Sequence, residues 1–167
     1  ILDDDHAGEH KMGGASRWWL HHSLIALNAS IDGKLLVFKG DPATHLAELA
    51  AASGATTVHW NRCYEPWRIA RDTQIKADLL AQGLHVESHN GSLLWEPWDV
   101  AKADGTPYRV FTPYFRRGCL AAAPPRQPLP VPAGLELTRP EPAPVSHADV
   151  GVDGLELLPK TGWDKMI

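Results

Sequence analysis

The sequence predicts an α/β fold: a three-layer, Rossmann-like domain with a parallel sheet, followed by a proline-rich linker. Three short apolar runs, KLLVF (34–38), TTVHW (56–60) and LHVESH (84–89), are typical of strands. Segments with the apolar spacing of helices alternate with these runs. Such alternation at short spacing is characteristic of βαβ units, whose crossovers make the strands of a sheet parallel.

Three helices are predicted in order along this part of the chain. The stretch SRWWLHHSLIALNASI has apolar residues near a helical period, which predicts a helix over 16–31. An Ala/Leu-rich helix over 43–53 follows the turn Gly40-Asp41-Pro42, and a third over 66–82 ends before Gly83. After the predicted strand over 84–89, the alternation of strands and helices becomes less regular. The stretch TPYFRRGCLAA favours one further helix.

The composition of the chain changes after residue 122. Residues 1–122 read as the α/β domain, whereas eight of the fourteen prolines fall within 123–145. Because proline fixes φ and donates no backbone hydrogen bond, we interpret 123–150 as an extended interdomain linker. Residues 151–167 are too few for a core, so they are either a docking segment or the entry to another domain. The chain opens without Met on ILDDD, and we expect further residues before Ile1.

The charge and the motifs of the chain argue against several classes of function. The net charge is −4 and the basic residues form no run, which argues against a nucleic-acid-binding face on this chain alone. The two cysteines give neither a disulfide framework nor metal spacing, and they favour a cytoplasmic location. No apolar stretch is long enough to span a bilayer, so we expect no membrane partner. No phosphate-binding glycine loop or nucleophile elbow is present, and we assign no catalytic residue and no metal ligand.

The stretch WNRCYEPWRIARD (60–72) follows a predicted strand and opens a predicted helix. Ligands of open α/β sheets bind beyond the carboxyl ends of the strands, and helix N-termini attract anions. Trp67 offers a flat face for stacking, and arginines pair with carboxylates. The alternative is that Trp60 is a core residue and that Arg71 with Asp72 forms a surface pair. We predict that one cleft is lined by Asp3, Asn61, Arg62, Glu65, Trp67, Arg71 and Asp72.

Five motifs in order carry a family resemblance: GASRWWLHHSL, KGDP, WNRCYEPW followed by RD, NGSLLWEPWDV, and G-x-P-Y-x-V-F-T-P-Y-F. Together they resemble the cryptochrome/DNA photolyase family, and the RWWL form and the EPW turn are most similar to plant cryptochromes and related bacterial photolyases. The resemblance runs from residue 1 to about 119 and resumes weakly at LELLPKTGWD. Each motif alone is weak, but five in the same order are specific.

The resemblance implies that two domains have different roles. The α/β domain of this family often holds a light-harvesting antenna pigment, either methenyltetrahydrofolate or a deazaflavin. A large helical domain holds FAD, the electron-transfer tryptophans and the DNA-lesion pocket, and light-driven splitting of pyrimidine dimers depends on it. We expect this sequence to begin in or just after the second strand of that domain and not to include the helical domain. FAD and DNA contacts are therefore expected only through that domain, and this chain is not expected to be catalytic alone.

One position departs from the family pattern. In folate-binding members of one branch, an Asn-Glu pair after the YE turn binds the pigment, whereas Trp67 and Arg68 stand here. Three functions remain open: the antenna-binding domain of a photolyase, the same domain of a cryptochrome blue-light receptor, and a truncated product that is non-functional or serves only in protein interaction.

Overall fold

The computed structural model describes residues 1–140 and 149–160. Residues 141–148 of the predicted linker and residues 161–167 of the predicted tail lie outside the described residues. The chain forms two compact units. The first unit comprises Ile1–Val58, Cys63–Glu87 and Leu135–Ile167, and the second comprises His59–Arg62 and Ser88–Gly134.

The helices of the first unit confirm the predicted order. Helix α1 is Gly14–Ser30, α2 is Pro42–Ser53 and α3 is Pro66–Ala81. Two of these helices start with proline at the first helical position, where its missing N–H would have no partner in any case.

Local capping chemistry sets the ends of α2. The Asp41 side chain accepts hydrogen bonds from the backbone N–H groups of Ala43 and Thr44, at 3.2 and 3.1 Å. Gly54 ends the helix with φ of 67°, in the left-handed region that favours glycine. Both signals are visible in the sequence, which explains why the predicted bounds of this helix were accurate.

Two strands pair in a sheet, β1 (Thr57–Asn61) and β2 (His85–His89). His85 N–H donates to the Thr56 carbonyl at 2.9 Å, and Arg62 N–H donates to the His89 carbonyl at 2.8 Å. The pairing advances along both strands in the same direction, so the strands are parallel, as predicted. Helix α3 is the crossover between them.

The prediction of a strand over 34–38 was wrong. Within the described residues, regular pairing next to this run is limited to one parallel bridge between Leu2 and Lys39. Other backbone groups of this run bind loop and side-chain partners: Val37 N–H donates to the Asp149 carboxylate at 2.9 Å, and Val150 N–H donates to the Val37 carbonyl at 2.9 Å. A continuous apolar run becomes a strand only where a second strand lies alongside it, and here a loop segment takes that position.

The core of the first unit combines residues from distant parts of the sequence. Leu2, Val37, Leu155 and Leu157 form one buried cluster. Leu155 and Leu157 are 3% and 2% exposed, so the described part of the tail docks into this unit. Docking was one of the two alternatives that the sequence left open for residues 151–167.

The second unit is built mainly from loops and one short helical segment. Helix α4, Phe111–Pro113, continues as a π-helical turn over Tyr114–Cys119, in the region where a further helix was predicted. Gly118 packs closely there, since a Cβ at this position would lie 3.1 Å from the Val100 carbonyl oxygen. Among the residues described between 123 and 140, none belongs to a helix or strand. No helix in the described ranges has the length and hydrophobicity needed to cross a membrane.

Candidate functional site

A cavity of about 370 Å³ lies within the first unit. Its apolar lining includes Leu20 and Leu24 of α1, and its polar lining includes Asp3, Arg68 and Arg71. Small-molecule sites in proteins usually have volumes of about 300–1,000 Å³ and an apolar wall with a few convergent polar groups. The cavity therefore has the size and the chemistry of a small-ligand site.

A charged network stands on the polar side of this cavity. Arg71 Nη1 donates to Asp3 Oδ2 at 2.9 Å, and Arg71 Nε donates to Asp72 Oδ1 at 2.8 Å. Asp3 also accepts from the His6 backbone N–H at 3.1 Å. The Asp3 side chain is only 2% exposed, and that of Arg71 is 18% exposed. Fixed carboxylates on two sides hold the guanidinium in one orientation.

The pKa values in this network follow from burial and hydrogen bonding. Burial by itself raises the pKa of Asp3, but the hydrogen bonds from Arg71 and His6 outweigh it, so the pKa lies below its usual value. Burial likewise acts to lower the pKa of Arg71, and the bonds to Asp3 and Asp72 reverse this effect. Both members of the Asp3–Arg71 pair are therefore charged at neutral pH.

Trp67 lies in the cavity wall beside two cations. The Arg68 Cζ atom is 5.0 Å from the Trp67 ring centroid, and the Arg71 Cζ atom is 5.2 Å from it. Both distances are typical of cation–π contacts. These contacts orient the indole ring, and part of the ring surface is already occupied by guanidinium groups. The sequence predicted that Trp67 offers a flat face for stacking, and whether a pigment ring uses that face stays a prediction.

Arg68 is held more loosely than Arg71. Its Nη1 lies 3.4 Å from Glu65 Oε1, and the Glu65 side chain is 52% exposed. The same Nη1 lies 3.6 Å from the Cys63 sulfur. An exposed ion pair at this spacing contributes little to stability. The Arg68 guanidinium can therefore leave Glu65 for another anion with only a small loss of free energy.

The seven predicted site residues fall into two groups. Asp3, Trp67 and Arg71 line the cavity, and Asp72 acts through its bond to Arg71. Glu65 reaches the cavity only through its pairing with Arg68. Asn61 and Arg62 belong to the second unit. The assignment of the whole set to one cleft stays a prediction.

Arg62 has a network of its own within the second unit. Its guanidinium binds the Glu96 carboxylate and donates from Nη2 to the Ser88 carbonyl at 2.6 Å. Its Cζ atom lies 5.5 Å from the Trp98 ring centroid. Glu96 is only 8% exposed, so Arg62 neutralises a buried carboxylate. Asn61 packs so closely against Gly91 that a Cβ at position 91 would collide with its amide.

The second unit also has a wider groove of about 930 Å³ between residues 90–99 and 122–129. It is lined by loop residues and by prolines of the predicted linker. None of the predicted site residues lines this groove. The smaller cavity of the first unit, which has a fixed charged network, is therefore the better candidate site.

Two contributors to the site escaped sequence reasoning. Arg17, from the RWWL motif, donates from Nη2 to Asp4 at 2.7 Å and from Nε to the Met12 carbonyl at 2.9 Å, which fixes the loop that carries Asp3. Leu155 closes the cavity from the tail. The motif resemblance was a signal for Arg17. Nothing in the sequence indicated that Leu155, which is far along the chain from the other lining residues, would line the same cavity.

Comparisons with known proteins agree with this architecture. The family model described as DNA photolyase matches residues 1–133. A deoxyribodipyrimidine photo-lyase from Agrobacterium fabrum is 45% identical over 108 residues, which are 63% of this chain and 22% of that protein. Cryptochrome-1 from Arabidopsis thaliana is 36% identical over 118 residues, which are 68% of this chain and 17% of that protein.

A solved structure gives the same result at the level of the fold. The crystal structure of a bacterial class III photolyase from Agrobacterium tumefaciens is similar with a TM-score of 0.71 and 37% identity. The match covers 92% of this chain and 31% of that protein, so the chain spans about a third or less of these relatives. The family model covers well over half of the chain. The chain therefore belongs to the DNA photolyase family and corresponds to its N-terminal α/β domain.

Proposed function

We propose that this domain binds a light-harvesting antenna chromophore in the cavity of the first unit. The observation that carries the proposal is the juxtaposition of an apolar wall with the Asp3–Arg71–Asp72 network. An antenna pigment needs a rigid, mostly apolar slot that holds its ring in one orientation, and it needs neither an acid nor a base. The buried Asp3–Arg71 pair supplies rigidity, since its two charged groups fix each other.

The charge distribution favours a planar pigment that carries an acidic group. Methenyltetrahydrofolate and deazaflavin both combine a planar ring with acidic groups. The donors of Arg71 are largely engaged by Asp3 and Asp72, so the loosely held Arg68 is the better partner for a ligand carboxylate. The ring would lie against Leu20 and Leu24 and meet Trp67 at its edge. No proton transfer by the protein is required.

The function of the whole protein follows as a second part of the proposal. We infer light-driven repair of pyrimidine dimers, in which the antenna passes excitation to FAD held by a helical domain. In this proposal the boundaries are 1–122 for the α/β domain, 123–150 for the interdomain linker and 151–167 for the segment that leads into the helical domain. DNA contacts belong to that domain, and the two free thiols support a cytoplasmic location.

A titration tests the binding site. Methenyltetrahydrofolate and a deazaflavin are each added to the chain, and binding is followed by quenching of tryptophan fluorescence and by near-ultraviolet absorbance of the protein fraction after gel filtration. We expect Trp67→Ala and Asp72→Ala each to weaken binding at least tenfold. Trp19→Ala is the matched control, because Trp19 is 70% exposed on α1 and does not line the cavity. If both site variants bind as tightly as the unsubstituted chain, the pigment does not bind here.

A cryptochrome-type photoreceptor is the second candidate. It is favoured by the similarity to Cryptochrome-1 and Cryptochrome-2 of Arabidopsis thaliana, at 36% and 33% identity. Repair of a dimer-bearing oligonucleotide under blue light by the protein that carries both domains separates the two functions. A chain that binds neither pigment would support the third alternative, a truncated or interaction-only product.

A further inference from the structure

We propose that His59 and His89 in the second unit form a chelating site for a late first-row divalent cation such as Zn²⁺ or Ni²⁺. The His59 Nδ1 atom lies 3.0 Å from the His89 Nε2 atom. The two rings are nearly parallel, with an interplanar angle of 18° and centroids 5.3 Å apart. Both side chains are exposed, so a hydrated cation can reach them.

The separation of the two nitrogens matches that of two ligands bound to one cation. With metal–nitrogen bonds of about 2.0–2.1 Å, two neighbouring ligands are about 2.9 Å apart at 90° and about 3.3 Å apart at the tetrahedral angle. The observed 3.0 Å lies between these values. To bind one ion, each ring must rotate so that its lone pair points at the ion rather than at the other ring.

The backbone holds the two rings in register. His59 lies in the middle of β1, and His89 is the last residue of β2. The Arg62 N–H donates to the His89 carbonyl at 2.8 Å, which fixes the end of β2 beside the end of β1. Ligands on paired strands are placed more accurately than ligands on loops, and this lowers the entropy lost on binding.

The ligand chemistry selects the cation. Imidazole nitrogens are intermediate in softness and favour Zn²⁺, Ni²⁺ and Cu²⁺ over Mg²⁺ and Ca²⁺. In the apo pair, one ring donates a hydrogen bond to the other. When a cation binds, that proton moves to the outer nitrogen of its own ring and both facing nitrogens become ligands, so no proton is lost from a neutral pair. Water completes the coordination shell.

Calorimetric titration of the chain with ZnCl₂ in a non-chelating buffer tests the proposal. We expect one Zn²⁺ per chain at this site, and at least a tenfold weaker affinity in both His59→Gln and His89→Gln. His22→Gln is the control because His22 is also exposed but lies on α1, and its immediate neighbour His21 points to a different face of the helix. This control should stay within twofold of the unsubstituted chain.

A second measurement locates the ion directly. Addition of paramagnetic Ni²⁺ should broaden the imidazole NMR signals of His59 and His89 before those of the other histidines. Equal Zn²⁺ affinity in His59→Gln, His89→Gln and the unsubstituted chain would overturn the proposal, as would the absence of Zn²⁺ binding or first broadening at other histidines. Because both side chains are exposed, circular dichroism of the variants should match that of the unsubstituted chain.

Discussion

Replacement of Asp3 by asparagine tests the charged network beside the cavity. The carboxylate is 2% exposed and accepts hydrogen bonds from Arg71 Nη1 at 2.9 Å and from the His6 N–H at 3.1 Å. Asparagine keeps the shape and one acceptor oxygen but removes the negative charge. Among the described residues, Asp72 is then the anionic partner that Arg71 keeps.

The expected loss of stability follows from the burial of the pair. Breaking a buried ion pair by removing one partner costs roughly 3–5 kcal/mol. Because Arg71 keeps Asp72 and its side chain is 18% exposed, we expect a smaller loss of about 2–3 kcal/mol for Asp3→Asn. With a urea dependence of about 2 kcal/mol per molar, the unfolding midpoint falls by about 1–1.5 M.

The loss should depend on pH in a direction set by the pKa of Asp3. The folded-state pKa lies below the unfolded value of about 3.9, so the carboxylate contributes stability above that pH. This contribution disappears as the pH falls through the folded-state pKa. The difference in unfolding free energy between the unsubstituted chain and Asp3→Asn therefore shrinks as the pH falls below about 4.

Urea unfolding followed by tryptophan fluorescence, repeated between pH 3 and 7, measures this difference. Asp5→Asn is the control because Asp5 is exposed in the same loop, and its effect should stay within about 0.5 kcal/mol. A loss below about 0.5 kcal/mol for Asp3→Asn at pH 7, or a loss that does not change with pH, would refute the reasoning.

Two further substitutions probe the packing around the site. Leu155→Ala removes a buried side chain from the core of the first unit and should cost about 2–5 kcal/mol in urea unfolding, whereas Leu158→Ala, at a 41% exposed position, should cost far less. Asp41→Ala removes the cap of α2 and should cost about 1 kcal/mol, and the same measurement with Asp41→Ser should recover most of the loss. An unchanged midpoint in Leu155→Ala would mean that the tail does not dock as described.

Features that depend on neighbouring residues in the sequence were predictable. The bounds of α2 and α3 follow from Asp41, Pro66 and the apolar spacing of each helix, and all of these signals are local. The structure pairs two residues of the predicted site, Asp3 and Arg71, while the assignment of all seven residues to one cleft stays a prediction.

Features that depend on distant partners were not predictable. Residues 34–38 have the composition of a strand, but their backbone partners include Asp149 and Val150, far along the chain. The closure of the cavity by Leu155 requires the same long-range docking. The contact between Trp67 and two guanidinium groups depends on rotamers, which residue spacing does not determine.

The position of the bound pigment tests the central claim most directly. A crystal structure of the chain grown with methenyltetrahydrofolate or a deazaflavin at saturating concentration gives that position. We predict density for the planar ring in the cavity of the first unit, against Leu20 and Leu24, with an acidic group within hydrogen-bonding distance of Arg68. Density for the pigment in the groove between residues 90–99 and 122–129, with the cavity of the first unit holding only water, would contradict it.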